Sequence, residues 1–145
     1  MIKNENLKLL PKYEEYIVYV NKMIISSPKC CRLSIGDELK KSMYNCLYQI
    51  YRLIYLDTIY RLNICNELDA LFSYQRSVIR TMYDLRYIDI KKKNNCIKYL
   101  GDIGRMLGGY VKSLGVKYVQ TSDKQRRQLF LGDKADKFHY AYKVT

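Results

Sequence analysis

Gly101-Asp102-Ile103-Gly104-Arg105-Met106-Leu107-Gly108-Gly109-Tyr110-Val111-Lys112-Ser113-Leu114-Gly115 reads as a helix that holds five glycines. Each glycine in a helix interior costs about 1 kcal/mol relative to alanine, so tertiary contacts must offset four of them within nine residues. Ile97, Leu100, Gly104, Leu107, Val111 and Leu114 alternate three and four residues apart, the seam of a packed helix. At about 100° per residue, Gly101, Gly104, Gly108 and Gly115 fall along or beside that seam. The spacing therefore predicts that a partner helix lies unusually near. Lys98, Asp102, Arg105 and Lys112 take the opposite side, where they face water or an anionic partner.

Upstream, Ile88-Asp89-Ile90 begins this helix, and Lys91, Lys92 and Lys93 crowd its first turn. Three lysines oppose the helix dipole there, a cost of a few tenths of a kcal/mol per charge, so the cluster reads as an anion-facing patch or a solvated turn. The preceding helix is expected over about Glu67 to Tyr87, with Asn66 as its cap and Leu68, Leu71, Phe72, Gln75, Val78, Ile79 and Met82 as its core stripe. Arg76, Arg80, Tyr83 and Tyr87 recur at helical spacing on another face. Such a face can pair phosphates and stack on bases, or be a solvated face with internal ion pairs. Arg86 falls near the core stripe, where a charge requires a partner; Asp37 or Glu38 is the expected one.

Two more helices precede these. One runs from about Lys12 to Ile25, buries Tyr13, Tyr16, Ile17, Val20 and Ile24, and ends at Ser26-Ser27-Pro28. The next is capped by Ser34, carries Asp37 and Glu38 in its first turn and extends to about Leu62. It shows two stripes, Leu39, Met43, Cys46, Ile50 and Leu53 with Leu47 and Ile54, and separately Tyr44, Tyr48, Tyr51 and Tyr55, roughly 130° apart. One face closes a bundle; the tyrosine face is a candidate subunit interface, or packs on loops or the tail.

Four amphipathic helices with short connections predict an all-α, up-down four-helix bundle over residues 1–115, followed by a basic, partly mobile tail over 116–145. With 145 residues and only Pro11 and Pro28 as prolines, the chain can bury a core without staples. Five cysteines with no CxxC pair and one histidine, His139, make neither a zinc site nor a disulfide framework. The sequence offers no catalytic residues, no cofactor motif and no metal ligands, so an enzyme is not expected. No apolar run is long enough to span a membrane. The opening Met1 to Asn6 lacks a signal peptide's apolar stretch, and the expected location is cytoplasmic. Lysine plus arginine number 26 against 14 acids, a net charge of +12, which favours nucleic acid or an acidic protein surface as partner.

Over about residues 28–114 the chain resembles the accessory variability determinant, Avd, of diversity-generating retroelements, within the four-helix-bundle proteins that include those encoded in ribosomal RNA intervening sequences. The resemblance rests on Pro28-Lys29 with Arg32, on Ser34-Ile35-Gly36-Asp37-Glu38-Leu39, on Arg80 through Asp84-Leu85-Arg86, and above all on Gly104-Arg105-Met106-Leu107-Gly108-Gly109-Tyr110. Relatives usually carry tryptophan where this chain has Tyr110. The resemblance implies a cyclic homo-oligomer, a homopentameric barrel of bundles, that binds the retroelement reverse transcriptase and its template RNA or cDNA during mutagenic retrohoming. Arg76, Arg80, Arg105 and Lys112, with Lys91, Lys92 and Lys93, are the expected binding surface. Tyr44, Tyr48, Tyr51 and Tyr55 are the expected oligomer interface, and Gly101, Gly104 and Gly108 the helix-packing positions. The alternatives are a stand-alone RNA-binding bundle of the intervening-sequence type and a structural oligomer without a nucleic-acid role.

Overall fold

The computed structural model describes residues 8–55, 58–113, 116–118 and 142–144. Four long helices and one short one account for most of them: α1 (Leu9–Ile25), α2 (Lys29–Arg32), α3 (Ile35–Tyr55), α4 (Thr58–Asp84) and α5 (Ile90–Ser113). The chain divides into two compact units, Met1–Leu107 and Gly108–Thr145. The first is an all-α four-helix bundle.

Its core follows the periodicity of each helix. Tyr13, Tyr16, Val20 and Ile24 of α1, Leu39, Met43, Cys46 and Ile50 of α3, Leu68, Phe72, Ile79 and Met82 of α4, and Cys96, Leu100 and Ile103 of α5 are almost completely buried. Each large apolar side chain so buried contributes about 1.5–3 kcal/mol. Ile103 and Cys96 belong to the buried stripe of α5, whereas Gly104 lies half-buried beside it.

One polar group sits at the centre. Gln75 is fully buried, and its Oε1 accepts hydrogen bonds from the hydroxyls of Tyr13 (3.2 Å) and Tyr16 (3.0 Å). Its Nε2 donates to Ser42 Oγ at 3.0 Å and to Cys46 Sγ at 3.2 Å. A side-chain amide has two lone pairs and two protons, and all four are used. Three helices thus meet on a single residue without an orphaned polar atom, the condition under which a buried polar network is tolerated.

Local chemistry sets the turns. Pro11 occupies the first turn of α1, where its missing N–H leaves no bond unmade. At the other end Ser27 Oγ donates to Ile24 O, and Arg32 Nη1 donates to Ser27 O at 2.6 Å. Ser34 does not cap α3 forward as expected; its hydroxyl donates back to Cys30 O. The corner between α2 and α3 closes on Gly36, where a Cβ would stand 2.8 Å from Cys31 O and 3.1 Å from Ile24 Cγ2.

The boundary expected near Leu62 to Asn66 is displaced. α4 begins at Thr58 and runs through this stretch, with Ile64 and Cys65 buried, so Asn66 lies in the helix interior. Two buried apolar residues there reward a continuing helix more than one asparagine rewards a cap. α4 ends in a Schellman turn: Tyr87 N–H donates to Met82 O at 2.9 Å and Arg86 N–H to Tyr83 O at 2.8 Å. Arg86 takes the left-handed position, φ 62°. Its side chain is exposed, and the expected pairing with Asp37 or Glu38 is replaced by Lys41, whose Nζ lies 3.2 Å from Asp37 and 3.6 Å from Glu38.

The second unit contains the last turn of α5, with Tyr110 and Val111 buried, and a two-stranded ladder. Strands β1 (Val116–Tyr118) and β2 (Tyr142–Val144) pair antiparallel, Val116 opposite Val144 and Tyr118 opposite Tyr142. For these six residues the ladder replaces the irregular tail that the sequence suggests. The remainder of that tail, with Gly115, lies outside the described residues.

Candidate nucleic-acid and partner interface

The expected basic residues fall in different settings. Arg80 is exposed on α4 and makes no ion pair among the described residues. Arg105 is 73% exposed and pairs with Asp102 one turn earlier on α5. Lys112 is exposed in the last turn of α5, where a cation complements the helix dipole. Arg76 is half-buried instead. Its Nη2 donates to Leu100 O at 3.4 Å and lies 3.5 Å from where a Cβ on Gly104 would be.

That contact revises the account of the glycines. Among the described residues no second backbone comes within 4 Å of a Cβ built on Gly101 or Gly104; the first meets only Arg105 Nη1 at 3.8 Å and the second only the Arg76 guanidinium. At 3.5 Å that is ordinary van der Waals distance, so the guanidinium packs beside Gly104 without requiring a glycine there. Gly108 is half-buried in the second unit. Long side chains carry α5 into the bundle: Asn95 Nδ2 donates to Tyr19 OH at 3.0 Å, Cys96 Sγ to Met23 Sδ at 3.6 Å, and Tyr99 stacks at a tilt on Tyr16 at 6.0 Å.

The three lysines at the start of α5 also separate. Asp89 Oδ1 accepts the Lys92 N–H at 2.8 Å, so the helix end is capped by a carboxylate that offsets the cations. Lys92 Nζ donates to Ser26 Oγ at 3.1 Å, and Lys93 Nζ lies 4.6 Å from the centre of the Tyr83 ring. Lys91 is exposed, whereas Lys92 and Lys93 are half-buried.

A cleft of about 310 Å³ opens between α1 and α5, lined by Lys12, Tyr19, Asn95, Lys98, Tyr99 and Asp102. The rings of Tyr19 and Tyr99 are 5.6 Å apart at 42°. Lys12 Nζ stands 5.0 Å over Tyr99 and within 3.9 Å of Asp102 and 3.7 Å of Glu15. Lys98 is exposed and has no carboxylate partner among the described residues. Sequence reasoning misses this group because its members lie on two helices far apart in the chain, Lys12 and Tyr19 on α1 and Asn95, Lys98, Tyr99 and Asp102 on α5. Only the antiparallel apposition of α1 and α5 assembles them.

Tyr44, Tyr48, Tyr51 and Tyr55 stand exposed along α3, from 41% to 81% of their surface open. Asn21 Nδ2 donates to Tyr44 OH at 3.3 Å. The other three rings project from the helix as an amphipathic ridge, the composition favoured in protein interfaces.

Burial pushes the Cys46 thiol up to about 11 and those of Cys65 and Cys96 to about 12. Thiols held protonated in this way are poor nucleophiles and metal ligands. Among the described residues no group of three His, Cys, Asp or Glu side chains is placed to hold a metal ion. No described helix is long and apolar enough to cross a membrane.

The bundle spans the region over which a family model, bAvd-like, matches the chain, residues 7–114. Neither the curated proteins nor the solved structures contain a match. Three-quarters of the sequence, including all four long helices, fits that one family description: the chain belongs to the bAvd-like family.

Proposed function

We propose that this protein is the non-catalytic accessory subunit of a diversity-generating retroelement, and that it binds the reverse transcriptase and nucleic acid, template RNA or cDNA, during mutagenic retrohoming. The observation that carries this reading is the family match across the whole bundle. The net charge of +12 supports it, since a basic surface attracts phosphate and accelerates encounter. Arg80, Arg105, Lys91 and Lys112, the exposed members of the expected set, are the contact residues, and Arg76 holds α5 against α4. The tyrosine ridge on α3 is the face that joins subunits into a cyclic oligomer, a pentamer by family resemblance.

This reading predicts a reverse transcriptase gene beside this one, and the test is co-expression with that enzyme, followed by affinity capture and RNA mobility shifts across a salt series. The wild-type chain is expected to retain the enzyme and to bind RNA with a steep salt dependence. Replacing Arg80, Arg105, Lys91 and Lys112 together by glutamine should reduce the salt slope by about 0.7–0.9 for each phosphate no longer neutralised, with helicity unchanged. A gene with no neighbouring reverse transcriptase, embedded in a ribosomal RNA gene, would point to the intervening-sequence reading instead.

A further inference from the structure

We propose that the cleft between α1 and α5 holds one unpaired nucleotide of a single-stranded nucleic acid, its base against Tyr19 and Tyr99 and its phosphate at Lys98. The proposal rests on the nucleic-acid part of the reading above and gives it a site.

The lining of the cleft selects this ligand. A volume of about 310 Å³ suits one nucleotide rather than a duplex. Two tyrosine rings inclined at 42° form an aromatic wall, and every base has a face that stacks on such a wall. Beside them Asn95 uses one amide proton on Tyr19 OH, which leaves its carbonyl oxygen and second proton to meet the edge of a base. A bare anion would make no use of the rings. An apolar ligand would meet Lys12, Asn95, Lys98 and Asp102 on every other side.

The charges are arranged for a phosphate at the rim. Asp102 is the carboxylate in the lining, and it is neutralised from two directions, by Lys12 and by Arg105. Lys98 is exposed, and its ammonium has no carboxylate partner among the described residues. Lys12 covers the Tyr99 face at 5.0 Å, and Glu15 and Asp102 are already within its reach. A base that stacks on Tyr99 therefore replaces a cation–π contact with a ring–ring contact, while the ammonium stays among carboxylates. Duplexes bury their base faces, so the cleft distinguishes single strands from double.

The experiment uses the full chain, a fluorescein-labelled oligouridine of about 12 nucleotides and an RNA duplex of the same length, titrated at physiological salt. The variants are Tyr99→Leu, which keeps an apolar side chain in the helix, and Lys98→Gln on the exposed rim. Tyr99→Leu should weaken the single strand about tenfold or more and leave the duplex within twofold. Lys98→Gln should lower the single-strand salt slope by about 0.7. Equal losses on both probes, or no loss on either, would overturn the site and leave the proposed function intact. Failure of the wild-type chain to bind any nucleic acid overturns both. Should Tyr99→Leu not fold, the wild-type chain crosslinked to a strand carrying 4-thiouridine decides the matter. Crosslinks within Lys12–Tyr19 or Asn95–Asp102 support the site, and crosslinks confined to other segments overturn it.

Discussion

Tyr13 and Tyr16 of α1 are buried to the last atom, whereas Tyr44, Tyr48, Tyr51 and Tyr55 of α3 stand in solvent, although both groups recur at helical spacing in similar surroundings. The hydroxyl decides the difference. Gln75 gives the α1 pair an acceptor inside the core, so their rings contribute apolar burial without an unsatisfied polar atom. Among the described residues nothing offers Tyr48, Tyr51 or Tyr55 such a partner, and their rings stay outside. A tyrosine stripe thus says little by itself; the position of one amide determines which stripe is core and which stays exposed.

The sharpest way to break this contrast is Gln75→Leu. It removes the acceptor and donor from four buried groups at once and is expected to lower the unfolding free energy by about 3 kcal/mol or more, read from urea midpoints. A change below about 1 kcal/mol would mean that the network contributes little. Alkali should attack the same region next. Burial holds the Tyr13 and Tyr16 hydroxyls well above the ordinary value of 10 and the Cys46, Cys65 and Cys96 thiols at about 11, 12 and 12 against an ordinary 9. An unfolded chain releases those protons first, so the native state binds more protons above about pH 9 and stability falls as pH rises from there toward about 12. A urea midpoint that stays level between neutral pH and about pH 11 would contradict this.

A smaller effect belongs to Tyr16→Phe, which keeps the ring and leaves Gln75 Oε1 with Tyr13 as its remaining donor; about 1 kcal/mol is expected. Smallest in stability, and opposite in consequence, is Tyr48→Ser with Tyr55→Ser. Each should change monomer stability by less than about 0.5 kcal/mol, yet the pair should shift the assembled species toward monomer in light scattering. Unaltered assembly would remove the ridge from the interface.

Much of the bundle is legible in the sequence because helical period and core stripe are local properties. Leu39, Met43, Cys46, Ile50 and Leu53 read as one face and are buried together. Features that depend on a second segment are not legible. The glycine pattern predicts close approach along α5; among the glycines whose surroundings are described, the one pressed against a backbone is Gly36, whose neighbour Cys31 O arrives through the α2 turn. Beside Gly104, Arg76 reaches Leu100 O, a contact between α4 and α5 that neither helix encodes alone. Asn66 misplaces the start of α4 because it has a cap's chemistry, and only burial of Ile64 and Cys65 argues against it. Arg86 suggests an acidic partner, although in a Schellman turn its backbone rather than its charge is what the fold uses. The basic character of the exposed cations is plain from residue type, but Lys12, Tyr19 and Tyr99 of the cleft have no sequence signature linking them.

The saturation of Gln75 carries an evolutionary consequence. An amide whose two lone pairs and two protons are all taken by partners on two other helices cannot drift alone without orphaning the hydroxyls of Tyr13 and Tyr16, and losing Ser42 would leave one of its own protons unpaired. Across the bAvd-like family these positions should therefore vary as a set, polar together or apolar together, so that relatives lacking the glutamine are expected to have phenylalanine where this chain has Tyr13 and Tyr16.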